Sequence, residues 1–235
     1  MRSDHPVGLI TAASRGIGAA CARRLAADGY AVALLARSPE IEDIAKGLDG
    51  VGVVGSVSVA ADLERFVATA LERFGRIDAV IANTGHPAKG ELLEISDGDW
   101  LEGMDLLLLS VIRLARLVTP AMLRQGGGAL LNISSLWAVE PHLDAPVSST
   151  LRAALGSFTK LYADRYASSG IRMNCLLPGF MSTYPVAEKF QQAIPMSRIA
   201  DPDEIAAAAA FLVSSAAGYI TGQSIRADGG LTRSV

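Results

Sequence analysis

The stretch from Val7 to Gly18, VGLITAASRGIG, decides the fold. VGLIT (7–11) is an unbroken apolar run, short enough for a strand and too short for a buried helix. It passes through a turn holding Gly16 and Gly18 into a helical pattern, GIGAACARRLAADG (16–29), which stops on Gly29. A strand that enters a helix this tightly leaves unpaired backbone N–H groups beside the positive end of the helix dipole, a ready seat for a diphosphate. Gly16 and Gly18 keep side chains away from the ligand and from the helix–strand contact, and Ser14 can donate its hydroxyl. Alone, a short glycine motif is an ordinary turn. Placed after a strand and at the start of a helix, it reads as a dinucleotide cradle.

Outward from this unit, short apolar runs alternate with helical patterns along the whole chain. The further strands expected are AVALLA (31–36), VGVVG (51–55), DAVIAN (78–83), ALLNIS (129–134), RMNCLL (172–177) and SIRAD (224–228). Most lack the apolar–polar alternation of a half-exposed strand, as expected of parallel strands covered on both faces. Between them lie helices such as VAADLERFVATALERFG (59–75), ending on Gly75. The pattern predicts one α/β domain over residues 1–235: a Rossmann-like, doubly wound parallel sheet of about seven strands with helices on both faces.

Composition agrees with a well-filled core, at 50% hydrophobic and 19% charged residues. The net charge of −3 and the absence of like-charge runs give no reason to expect nucleic acid or an anionic membrane as partner. Cys21 and Cys175 have no CxxC neighbour, so two reduced thiols in a cytoplasmic protein are expected, with no metal site. LLLLSVI (106–112) stops at Arg113 and residues 1–6 carry no apolar core, so neither a membrane span nor a signal peptide is expected. The helix pattern over 104–122 is apolar on nearly every side. Such a helix needs a second surface to cover it, and a homo-oligomer, dimer or tetramer, is expected through 104–122 and its neighbour 146–168. A hetero-oligomer with an active paralogue is the alternative.

After the second strand, where a dinucleotide site reads the adenosine ribose, stands Arg37, with no Asp or Glu in LLARS. An acid there favours a free 2′-hydroxyl; an arginine favours a 2′-phosphate. Arg15 points the same way. NADP(H) is therefore the expected cofactor, with NAD(H) disfavoured.

Taken together, TAASRGIG (11–18), ANTG (82–85), Trp100 with Pro120, NISS (132–135), CLLPGF (175–180), RIADPDEIA (198–206) and YITGQSIRADGG (219–230) resemble the short-chain dehydrogenase/reductase family over essentially the whole chain. The resemblance implies that Ser14, Arg15, Gly16, Ile17 and Gly18 form the cofactor loop, with Ala12 in place of its first glycine. It places Asn83 and Gly85 beside the cofactor, and Pro178, Gly179 and Thr183 around the nicotinamide. It also implies a substrate lid around 180–197. Ser56 stands where the family has an aspartate on the adenine.

The implied catalytic positions are another matter. Ser135 matches the substrate-orienting serine, but the tyrosine position holds Ser148 and the lysine position Arg152, and the family's asparagine is Leu107. A phenol with pKa near ~10 can be acidified by a neighbouring ammonium, whereas a serine hydroxyl cannot reach that range. An arginine keeps the charge but gives up no proton. Tyr162 lies about 21 Å further along the helix from Ser148, too far to substitute. Tyr184 in the lid, His86 and His142 are the remaining candidates, and Trp137 is read as a pocket wall. The expected catalytic set is Ser135, Arg152 and Tyr184. Three readings stay open: a slow NADP(H)-dependent carbonyl/alcohol oxidoreductase on an unidentified small substrate, a silent nucleotide-binding or structural subunit, and a non-redox enzyme reusing the pocket.

Overall fold

Each of the seven expected strands forms within a residue of its predicted bounds: β1 Val7–Thr11, β2 Ala31–Ala36, β3 Val51–Val54, β4 Ala79–Ala82, β5 Gly128–Ile133, β6 Ile171–Pro178 and β7 Ser224–Ala227. The structure, a computed structural model, describes residues 3–234. All six neighbouring strand pairs are parallel, in the order β3-β2-β1-β4-β5-β6-β7. Because chain order reverses between β1 and β4, their C-terminal ends diverge there and open a crevice, the place where such sheets bind ligands.

Helices cover both faces. One layer holds α3 (Ala60–Phe74), α5 (Ser110–Gln125) and α6 (Pro146–Tyr166), which bury Phe66, Leu114 and Leu155 with Leu9, Val80 and Met173 of the sheet. The other holds α1 (Gly16–Ala27), α2 (Ile41–Lys46) and α8 (Pro202–Val213), packed on Ile10, Leu34, Ile81 and Leu131. With both faces dry, the strands carry continuous apolar runs, which is why they were legible. α3 and α5 end on Gly75 and Gly126, both with positive φ, where a glycine avoids the clash that a Cβ would make.

The apolar helix expected at 104–122 extends further. α4 (Asp97–Met104), a wide π-turn over Asp105–Leu109 and α5 run on as one helix from Asp97 to Gln125. Its start is fixed by Ser96, whose hydroxyl accepts from the Asp99 amide at 3.1 Å. By length and composition this 29-residue helix could cross a membrane, although no single apolar run in it reaches that length. Half its apolar window is buried, with Val111, Leu114, Val118 and Met122 turned into the core. It is a core helix. Leu101, Met104 and Leu123 on it, and Leu161 on α6, remain exposed.

Among the described glycines, the one with least room for a Cβ lies at the start of α1. A Cβ on Gly18 would sit 2.2 Å from the carbonyl oxygen of Ala12, so only glycine lets the helix approach the strand end. Ala12 itself has φ +48, the left-handed region that a glycine occupies without cost. The methyl group there is a real strain, greater than the added bulk alone suggested. Gly18→Ala should destabilise the protein by about 1–3 kcal/mol in urea unfolding. Ala12→Gly should stabilise it by about 0.5–1 kcal/mol. An unchanged midpoint for Gly18→Ala would contradict the packing described.

Candidate active site

The cofactor loop spans the end of β1 and the first turn of α1. Arg15 is the N-cap of α1, yet no side chain caps the helix, so its leading amides are left for a ligand. Gly16 has φ +55, and Thr183 from the lid lies against it, 3.5 Å from where a Cβ would be. Arg15 and Arg37 are exposed and make no ion pair among the described residues. Asn83, at the end of β4, ties the crevice together: its amide donates to Thr11 Oγ1 at 2.9 Å and its side chain to the Ala12 carbonyl at 3.3 Å. Beyond it, a Cβ at Gly85 would meet nothing, leaving free space over the sheet edge. An uncapped helix start, two free guanidinium groups and a bare crevice fit a phosphorylated dinucleotide.

On the nicotinamide side, Pro178 ends β6 and the Gly179 amide donates to Ala227 at 3.0 Å, which fixes the turn. A Cβ at Gly179 would fall 2.8 Å from Asp228 Cα, so this glycine is required by packing as well. At the adenine end, Ser56 does not replace the family's carboxylate. Asp62 of α3 instead comes up beside it, accepting from the Ser56 amide at 2.8 Å and pairing with Arg65 at 2.8 Å. The Ser56 amide above all holds the Asp62 carboxyl below the usual range, and Arg65 adds to this. Nothing at 62 marked this in the sequence.

Ser135 caps a short turn at Leu136–Ala138, accepting from the Trp137 amide at 3.3 Å with its hydroxyl still partly exposed. Ser148 and Arg152 lie one turn apart on α6, and Arg152 Nε donates to Ser148 Oγ at 3.2 Å. Arg152 Nη1 donates to the Ile133 carbonyl at the end of β5, at 2.8 Å. Arg152 is only 6% exposed, and burial pulls its pKa down to about 10. It therefore stays charged at neutral pH. Leu107 sits in the π-turn, 1% exposed, packed with Val147 and Leu151 of α6. Where a relay to water is expected there is hydrocarbon.

The substitute candidates separate cleanly. Tyr162 of α6 is buried against α5, its hydroxyl hydrogen-bonded to Thr119 Oγ1 at 2.5 Å, and has no part in the site. His142 belongs to an aromatic cluster with Trp137 (4.4 Å between ring centres) and Phe190 (5.7 Å), which joins the 135–145 segment to lid helix α7, Glu188–Ala193. Trp137 also meets Phe180, with ring centres 6.0 Å apart. Tyr184 and His86 come together, edge to face at 5.7 Å. Partial desolvation, then the fields of Arg152 and Lys89, push the His86 imidazole below its ordinary pKa. Burial holds the Tyr184 phenol above its own, so both groups are neutral at pH 7. The pairing of a lid tyrosine with the residue after ANTG is something spacing alone could not reveal.

A parallel sheet of this order, with an uncapped glycine turn at its crevice and a serine at the end of the next strand, defines a Rossmann-fold nucleotide-dependent oxidoreductase. The chain belongs to the short-chain dehydrogenase/reductase family. The profile of the family described as enoyl-(acyl carrier protein) reductase matches residues 11–232. The chain is 35% identical to a 3-oxoacyl-[acyl-carrier-protein] reductase of Synechocystis, over 96% of either chain. It is 32% identical to dehydrogenase/reductase SDR family member 4 of Homo sapiens, over 96% of this chain and 87% of that one. Among solved structures it resembles L-sorbose reductase from Gluconobacter frateurii, complexed with NADPH and L-sorbose, with TM-score 0.92, 28% identity and coverage of 100% and 99%. It also resembles YwfH, an NADPH-dependent reductase involved in bacilysin biosynthesis, with TM-score 0.93, 26% identity and coverage of 99% and 100%.

The Leu107 packing yields a counter-intuitive expectation. Leu107→Asn restores the family residue but places an amide among Val147, Leu151 and Trp100. Unless water enters, the amide lacks partners, and the change should cost about 1–3 kcal/mol in urea unfolding. A neutral or stabilising result would show that a polar channel exists there.

Proposed function

We propose that this chain is a slow carbonyl reductase whose proton comes from the Tyr184–His86 pair instead of position 148. The cofactor is NADP(H). When bound, it supplies hydride to the carbonyl carbon and leaves oxidised. The amides of Gly16, Ile17 and Gly18, with the Ser14 hydroxyl, hold its diphosphate. Arg37 and Arg15 hold its 2′-phosphate, since each brings a free charged donor to the ribose edge. Asn83, Gly85, Pro178, Gly179 and Thr183 bound the nicotinamide.

The Ser135 hydroxyl donates to the carbonyl oxygen and fixes its direction. The proton that this oxygen must gain passes from the Tyr184 hydroxyl, and His86, neutral and facing solvent, relays one back from water, taking it on one ring nitrogen as it gives one from the other. Ser148 cannot do this, because its alkoxide is too basic to form and its side chain is short. Arg152 keeps a positive charge beside the site and gives up no proton. The observation that carries the reading is the edge-to-face contact of Tyr184 with His86, within the field of Arg152. Tyr184 remains 37% exposed, and with no water relay behind Leu107 the rate should lie well below the ~10 per second of an ordinary enzyme. The apolar packing of Leu107 favours a second reading, a nucleotide-binding subunit without turnover.

Fluorescence quenching should show NADPH binding to the unmodified protein and weakening by about tenfold or more in Arg37→Ala, with NADH little affected. Equal affinity for NADPH and NADH in the unmodified protein would refute the role of Arg37. Against a panel of carbonyls, Tyr184→Phe and His86→Gln should each lower kcat, the former by about 10²-fold, with NADPH binding retained. If both variants keep full kcat, the pair is not the proton source. If NADPH binds and no carbonyl turns over, the second reading holds.

The exposed Leu101, Leu123 and Leu161 support assembly of the chain as a homo-oligomer, or with an active paralogue. Light scattering should give at least twice the 24.5 kDa of the chain. A monomer at micromolar concentration would exclude the homo-oligomer.

A further inference from the structure

Arg152 is buried without an anion. No Asp or Glu oxygen lies within 4.0 Å of it among the described residues, and the ionisable group that most favours its charge is Cys175, itself a neutral thiol kept so by burial. The other enclosed arginines are treated differently. Arg76 is paired with the Asp78 carboxylate at 2.6 Å, and Arg172 gives its guanidinium to the carbonyls of Leu212, Ser214 and Ile220. Arg152 makes two bonds, to Ser148 Oγ and the Ile133 carbonyl, out of the five N–H groups a guanidinium offers. Its Nη2 makes no hydrogen bond among the described residues.

The rest of the cleft repeats the sign. His86 lies in the field of Arg152 and of Lys89, and both act to keep it uncharged. Lys89 has no ion-pair partner among the described residues, while Lys189 of the lid is held by Asp144 at 3.8 Å. A ribose hydroxyl can accept from a guanidinium, but it is neutral and leaves the buried charge uncompensated. Arg172 shows that backbone carbonyls can satisfy such a group, but Arg152 has one carbonyl and one hydroxyl, and an anion would answer both the unused N–H groups and the charge.

We propose that the cleft takes an oxo acid, with Arg152 and the Ser148 hydroxyl receiving the carboxylate of the substrate. The inference rests on the carbonyl-reductase reading for the fate of the keto group. There, hydride from NADPH goes to the keto carbon and a proton to its oxygen, giving a hydroxy acid and NADP+, with the carboxylate unchanged. It explains why position 152 holds a planar fork that grips a carboxylate at two points where an ammonium gives one. It also gives Ser148 a use as a neutral donor, which asks no proton of it.

The test compares each acid with its own uncharged isostere on the unmodified protein. Pyruvate and pyruvamide, then acetoacetate and acetoacetamide, are titrated calorimetrically with and without saturating NADPH. At least one acid should bind about tenfold or more tightly than its amide, a difference in the range of a charge-assisted hydrogen bond. The pair that shows it distinguishes a 2-oxo from a 3-oxo acid. Arg152→Met should abolish the difference and Arg152→Lys should keep part of it. If Arg152→Met does not fold, the acid–amide comparison still decides. Equal binding of acid and amide, or binding of neither acid, overturns the proposal. NADPH binding measured in the same samples is a separate readout. Its loss with acid binding intact would remove the reductase reading and leave the anion pocket.

Discussion

The approach of α1 to the end of β1 is the contact on which the rest of the molecule depends. No atom fits between the Gly18 Cα and the Ala12 carbonyl. That contact aims the first amides of α1 into the crevice instead of into a cap, and it forces residue 12 into the left-handed region. It also turns the Ala12 carbonyl toward Asn83, so one carbonyl oxygen meets the helix and accepts from the neighbouring strand's end. Cradle, crevice and switch point thus share a single geometric origin. The alanine methyl strains the turn by an amount of order 1 kcal/mol, small enough for the surrounding packing to absorb.

At the other end of the crevice the balance of forces differs. A buried guanidinium without a counter-ion costs far more than a strained turn, and it persists only where its surroundings or a ligand compensate. Two hydrogen bonds anchor Arg152 to α6 and β5, and the helix positions it whether or not a ligand is present. Leu107, joining Val147 and Leu151, fills the relay space with hydrocarbon. These changes are mutually consistent: an unreactive hydroxyl, a fixed cation and a dry wall suit a site that binds charge more readily than it shuttles protons.

The lid connects the two halves. Its base is held by the Ser182 amide donating to Ala200 at 2.9 Å, its first turn touches the cofactor loop through Thr183, and Tyr184 meets His86. Its helix α7 is gripped separately by the Trp137, His142, Phe180 and Phe190 rings. The same short segment therefore touches both the cradle and the His86 side of the crevice.

The sequence by itself determined the sheet, its seven strands, the glycine turn and the family, because burial on both faces writes parallel strands as continuous apolar runs and a diphosphate site demands glycine at fixed spacing. It also named the altered positions Ser148, Arg152 and Leu107, since these rest on register alone. Other features depended on side chains distant in the chain meeting across the fold. Tyr184 meeting His86 and Leu107 closing against Val147 are contacts between separate elements, and no local pattern encodes them. The left-handed Ala12 was visible only as a missing glycine, because strain belongs to a backbone angle and not to a residue type. Whether Arg152 had a counter-ion was likewise a question only the tertiary structure could answer: charge is written in the sequence, but what surrounds a charge is decided by packing.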